Sequence, residues 1–185
     1  MDELIDVLDA DGNYTGKSIM KSEAHRKGVF HPSIHVWLYT KKGEILIQQR
    51  AINKDTHPGL WDVSVAGHIG AGEDVTESAI REVEEEIGLE ITNEDLNKIG
   101  VFKYSHQHHK DLLDCEFHHT FLCELKVPLS KLEMQKSEVA DLAMIPLHRL
   151  IGELTNKETA IKYVPYGQDY FKTVFKLIET KLQLL

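Results

Sequence analysis

The chain has 185 residues, 42% of them hydrophobic and 28% charged, the make-up of an ordinary globular protein long enough to bury a sizeable core. Its formal net charge of −9 argues against non-specific attachment to nucleic acid or to a membrane surface, since both select basic patches. A small anionic substrate would need a local basic patch or a metal ion inside so acidic a protein.

In chain order, Leu4 to Leu8 is predicted as a short strand, followed by a turn at Asp11-Gly12-Asn13. Residues 21 to 27 read as a short helix or turn. Ile34 to Tyr39 and Ile45 to Gln49 are predicted strands, joined through the hairpin signal Lys41-Lys42-Gly43-Glu44. A loop from 51 to 60 ends in Pro58-Gly59, and Trp61 to Ala66 is expected as the next strand. Gly67, Gly70 and Gly72 then make a Gly-rich loop that leads into a helix. Asp74 is its expected N-cap, Glu77 completes a capping box, and Gly88 suits the left-handed position that ends it. Ala79, Ile80, Val83 and Ile87 recur at helical spacing as a buried stripe. Gly100 to Tyr104 and Glu116 to Leu125 are predicted strands on either side of a His-rich loop at 106 to 111, and Asp141 to Ile145 is the last strand. One helix follows from about 147 and another from about 168 to 184, its stripe made by Phe171, Val174, Phe175, Ile178 and Leu182.

No repeat, low-complexity tract or long linker divides the chain, so one domain over residues 1–185 is expected. No apolar run approaches about 18 residues and the N-terminus lacks a signal-peptide pattern, so a cytoplasmic location is expected. Cys115 and Cys123, placed on one strand, are too far apart to bridge and are read as reduced thiols.

Glu82, Glu85 and Glu86 fall at i, i+3 and i+4, so their carboxylates share a helical face. Three like charges there repel, and helix formation does not require them. A solvated acidic face is the plain explanation for such a run. A hard divalent cation is the alternative, because Mg²⁺ takes carboxylate oxygens and substrate phosphates together.

The spacing of Gly67, Glu73, Arg81, Glu82, Val83, Glu85, Glu86, Gly88 and Leu89 resembles the signature of the Nudix family at every fixed position. The resemblance implies an α/β/α sandwich around a mixed β-sheet. It implies that the loop and helix hold Mg²⁺ or Mn²⁺ through Glu82, Glu85 and Glu86, and that a small molecule containing a diphosphate linkage is hydrolysed. The general base is then a box glutamate, Glu85 first, or one from elsewhere, Glu116 or Glu138. Arg81 is read as orienting Glu73 or a catalytic glutamate, and Glu73 as holding the loop on the helix. A homodimer is implied by the family alone.

A second set of residues resembles the isopentenyl-diphosphate isomerases, a divergent branch of that family. Ala24-His25, Phe30-His31, Gln49-Arg50-Ala51, Lys54, Pro58-Gly59-Leu60-Trp61, Gly67-His68 and Asp114-Cys115-Glu116 carry it, between about residues 4 and 150. That resemblance implies that His25, His31, His68, Asp114 and Glu116 ligate a metal, with a donor set suited to Zn²⁺ or Mn²⁺. It also implies that Arg50 and Lys54 grip a diphosphate and that Tyr104 lies in the active site. Ala66 departs from the pattern, because the isomerases carry a catalytic cysteine there. The complete glutamate set is a second departure, and the isomerases' C-terminal tryptophan has no match. The expected protein is therefore a hydrolase of the isomerase-like branch. The alternatives are an isopentenyl-diphosphate Delta-isomerase and a non-catalytic ligand-binding module. His106, His108 and His109 are read as solvated or as touching substrate, and His35 as facing away from Ile34 and Val36.

Overall fold

Strand β3 (His31–Tyr39) is buried along its whole length because it lies inside the main sheet of the computed structural model, which describes residues 2–183. Alternation along it sends successive side chains to opposite faces. Trp37 and Tyr39 enter one apolar core, while Ile34, Val36 and Leu38 enter another. The sheet is filled out by β4 (Glu44–Arg50), β5 (Trp61–Asp62), β6 (Val65–His68), β7 (Leu96–His109), β8 (Leu112–Glu124) and β9 (Val139–Pro146). Its order is β5-β4-β3-β8-β7, with β6 also on β3 and β9 also on β4. The β3–β8 pair is parallel and the other pairs are antiparallel, so the sheet is mixed. A separate hairpin joins β1 (Leu4–Leu8) to β2 (Tyr14–Met20).

Helix α2 (Val75–Ile87) covers one face through Ala79, Val83 and Ile87. Helices α3 (Leu147–Thr155) and α5 (Gln168–Gln183) cover the other through Leu150, Leu154, Phe171, Val174, Phe175 and Ile178. Both faces of the sheet are therefore buried under helices, the α/β/α sandwich expected for a sheet with an internal parallel pair. Two short helices complete the fold, α1 (Lys21–Lys27) and α4 (Lys157–Ala160). Among the described residues no helix is long and apolar enough to cross a membrane. Cys115 and Cys123 both lie on β8 as free, buried thiols.

Several elements differ from expectation for local reasons. The span from Trp61 to Ala66 is two strands, not one. Ser64 fills the gap where β4 diverges from β3, its hydroxyl accepting from the Leu38 N–H and donating to the Leu46 carbonyl. Strand β2 has no apolar alternation and is largely exposed, so hydrophobic patterning did not signal it. The residues expected as a His-rich loop instead extend β7, with His106 opposite Asp114 and Gln107 opposite Leu113. Their polarity reflects a strand face that borders a cleft. Ile80 is only half-buried and stays out of the core stripe. The Asp74 cap works in one direction, Oδ1 accepting from the Thr76 and Glu77 N–H groups.

Candidate active site

Strand register brings the histidines together. His31 lies opposite Glu116 and Ser33 opposite His118 in the parallel β3–β8 pair. Ser33 lies opposite His68 in the β3–β6 pair, and Tyr104 opposite Glu116 in the β7–β8 pair. Period-two alternation therefore places His31, His68, Tyr104 and Glu116 on one sheet face. His25 joins them from the buried side of α1. The ligand atoms of His25, His31, His68 and Glu116 all lie within 4.8 Å of one another. Glu116 Oε1 is 3.6 Å from both His31 Nε2 and His68 Nε2, and Asp114 Oδ1 is 3.6 Å from His25 Nε2.

The donors in this group lack protein partners. His25 Nε2, His31 Nε2, His68 Nε2 and Asp114 Oδ1 are all buried without a hydrogen bond. Buried polar atoms are normally satisfied, so the three converging imidazole orphans, with Asp114 Oδ1 beside His25 at their edge, fit a metal ion bound among them. The second nitrogen of His31 faces the Val29 carbonyl at 2.9 Å, the kind of outer contact that fixes a ligating ring. Burial drives His25 down to about 4 and His68 down to about 3, so both are neutral and able to donate a lone pair. Burial also pushes Asp114 up to about 7, aided by the charge of Glu116. Burial pushes Glu116 the same way, but the imidazoles of His118, His31 and His68 outweigh it and hold the carboxyl well below its ordinary range.

The glutamate helix meets the same strand from the other face. Gly67 points toward α2, and a methyl group built on it would overlap the Glu82 carboxyl. Glu86 is 3% exposed, and its Oε2 accepts from Gln48 Nε2 at 2.9 Å and from the Ala66 N–H at 3.3 Å. Burial, with the charge of Glu82 beside it, raises Glu86 to about 8. Burial raises Glu82 as well. Arg81 lies on the glutamate side of the helix. Its guanidinium donates to Glu82 Oε1 at 2.8 Å, to Glu85 Oε2 and Glu73 Oε2 at 3.2 Å, and to the His68 carbonyl at 3.2 Å. Glu73 Oε2 also accepts from the Gly70 N–H and the Ser78 hydroxyl, tying the Gly-rich loop to α2. The three box carboxylates differ in surroundings: Glu86 is internal, Glu82 half-buried and Glu85 exposed. A buried acid held at so high a pKa beside a second carboxyl is the environment a divalent cation would relieve.

A small cleft opens over the histidine face and is lined by Arg50, His57, His68, Tyr104, Glu116 and Tyr166, among others. Arg50 is anchored within it, NH1 on Asp62 Oδ2 at 2.8 Å and the rest of the fork on Thr56. Lys54 pairs with Glu138, and neither is among the residues that line this cleft; the Lys54 charge acts instead on Glu86. His35 is buried on the site face, its Nδ1 2.7 Å from the Tyr170 hydroxyl and its ring stacked on His118 at 4.0 Å. His57 and Tyr166, which line the cleft, and Asp62, which anchors Arg50 from outside it, escape sequence reasoning. His57 lies in a loop with no apolar pattern. Asp62 was masked as a strand residue. Tyr166, whose hydroxyl donates to Asp62 Oδ1 at 2.8 Å, sits in an irregular segment before α5. Only the proximity of Pro58-Gly59 to His57 hinted at a shaped turn.

Comparison with known proteins agrees with this geometry. Residues 29–166 match the NUDIX domain. A protein of Arabidopsis thaliana named Nudix hydrolase 3 is 34% identical across 99% of this chain and 24% of its own length, so the chain spans about a quarter of that relative. An isopentenyl-diphosphate Delta-isomerase of Serratia proteamaculans is 34% identical across 66% of each chain. The crystal structure of a MutT protein from Methanosarcina mazei Go1 shares the fold, with a TM-score of 0.62 at 20% identity over 81% of this chain and 95% of that one. With its complete glutamate helix, its sandwich fold and a domain match over most of its length, the chain belongs to the Nudix family.

Proposed function

We propose that this chain, acting as one Nudix domain, is a metal-dependent pyrophosphohydrolase that cleaves a diphosphate linkage in a small phosphorylated molecule. The observation that carries the reading is the state of the box: Glu82 and Glu86 lie half-buried and buried beneath the Gly67 strand, with Glu85 and Arg81 beside them. Glu82, Glu85 and Glu86 would hold Mg²⁺ or Mn²⁺, which when bound neutralises phosphate charge and lowers the pKa of a water. Gln48 and the Ala66 N–H hold Glu86 in place, and Arg81 spans Glu73, Glu82 and Glu85 so that their carboxylates keep one orientation. Glu85 has the exposure a general base needs to reach a water, with Glu116 and Glu138 as the other candidates. Arg50 supplies positive charge and Tyr104 a hydroxyl in the cleft for the substrate's phosphates, and Lys54 would add positive charge from beside Glu86. His25, His31, His68 and Glu116, with Asp114 beside His25, would hold a second type of ion, of the Zn²⁺ or Mn²⁺ kind.

That histidine group also favours a second reading, an isopentenyl-diphosphate isomerase. Against it stands Ala66, opposite His35 in the sheet, which has no proton to give or take. The test is a panel of nucleoside, sugar-nucleotide, dinucleotide and prenyl diphosphates incubated with Mg²⁺. Release of phosphorylated products from at least one compound, lost in Glu86→Gln, is the expected result. Turnover of none of them would refute the hydrolase reading.

A further inference from the structure

A second cluster of imidazoles stands beside the first and is not used by the chemistry above. His57, His106 and His108 each offer a ring nitrogen to a group whose atoms lie within 4.8 Å of one another. Their ring centroids are 4.4 to 5.0 Å apart. The cluster has a structural cause. His106, on β7, lies opposite Asp114, His108 is the extra residue where the β7–β8 register shifts after Gln107 and still reaches Asp114, and His57 comes in from the turn between β4 and β5. His57 holds a left-handed backbone, φ 47, the only non-glycine residue with positive φ among the described residues.

We propose that His57, His106 and His108 form a second transition-metal site on the rim of the cleft, with Asp114 shared between the two histidine groups. Each of two rings has an outer partner for one nitrogen, as metal-binding imidazoles usually do. His57 Nε2 lies 3.1 Å from the Tyr104 hydroxyl, and His108 Nε2 lies 2.8 Å from Asp114 Oδ2. The other oxygen of Asp114 faces His25 at 3.6 Å, so one carboxylate touches both groups. Three half-buried imidazoles with a nearby carboxylate suit Zn²⁺ or Co²⁺ and disfavour Mg²⁺, which takes oxygen donors. Because His57 lines the same cleft as His68 and Glu116, an ion there would present an open coordination position to an anionic substrate group. The inference does not depend on which reaction the protein performs.

The test counts ions. Protein stripped with a chelator is titrated with Co²⁺ in excess Mg²⁺, which occupies oxygen-rich sites, and bound cobalt is measured after gel filtration alongside its visible absorption. The variant His57→Gln/His106→Gln should hold one equivalent fewer than wild type and lose part of the cobalt spectrum, with unchanged circular dichroism. A His68→Gln/Glu116→Gln variant should keep that equivalent. Loss of the first site would lower both totals and leave the difference intact, so the two claims fail separately. Equal capacity in wild type and His57→Gln/His106→Gln would overturn the proposal. If that variant does not fold, anomalous scattering from wild-type crystals soaked in Zn²⁺ decides. A peak among the three rings supports the site, and an empty map there overturns it.

Discussion

At the scale of single residues, Glu86 is the buried group where the fold's response to pH and the proposed chemistry meet. Its pKa of about 8 lies above the ordinary 4.5 because burial disfavours the charged form. The folded state therefore binds this proton more tightly than the unfolded chain. The resulting stabilisation is fully present below 4.5 and is lost as the pH rises through 8, a change on the order of a few kcal/mol. Metal-free Glu86→Gln should accordingly melt higher than wild type above pH 8 and show no such gain below 4.5, as scanning calorimetry in chelator would record. The same substitution should cost about 10²-fold or more in turnover, the scale of removing a positioned catalytic group, and Glu85→Gln should do likewise. Full activity of both variants at saturating Mg²⁺ would remove the glutamates from the reaction. Glu82, Glu85 and Glu86 were legible in the sequence because helical spacing fixes which side chains neighbour one another. Their unequal burial was not, because it depends on where β6 and Gln48 lie relative to α2.

At the scale of elements, the contact between β6 and α2 depends on an absent side chain. Gly67 has ordinary backbone angles, so alanine there leaves the strand able to form, yet its methyl would displace the Glu82 carboxyl. Gly67→Ala should keep its circular dichroism and lose about 10²-fold in activity, with a raised Mg²⁺ requirement in a metal titration. Gly88 is a different case. It ends α2 at φ 64, and a Cβ there would press on the Cβ of Glu133 at 2.9 Å. Gly88→Ala should lower stability by about 1–2 kcal/mol from the left-handed backbone alone, measurable by urea denaturation. The histidine site needed no long-range coincidence beyond strand register. His31, Glu116, His68 and Tyr104 meet because each lies on the site face of neighbouring strands. Family resemblance named these residues, and alternation explains why they converge. His106 obeys the same alternation and His108 follows it at a shift in the β7–β8 register, but their polar stretch reads as a loop until its pairing with β8 is known.

At the scale of the whole molecule, the sheet separates two kinds of donor set. The glutamates stand on the α2 face and the histidines on the face shared with α5, with β6 contributing Gly67 to one side and His68 to the other. Oxygen donors suit Mg²⁺ and imidazoles suit Zn²⁺, so the two should be loaded independently. Purified protein should keep a transition metal through dialysis against Mg²⁺ and lose several degrees of melting temperature when a strong chelator strips it, because an ion bound only by the folded state stabilises it. The central claim is that this arrangement, with Ala66 beside it, hydrolyses a diphosphate and does not move a double bond. The most direct measurement follows phosphorylated hydrolysis products across the diphosphate panel and, in deuterated water, deuterium entry into isopentenyl diphosphate, both with wild-type protein and Mg²⁺. Phosphorylated product from some member of the panel with no deuterium in the prenyl chain is the predicted result; deuterium in the prenyl chain, or no product from any member, would contradict it.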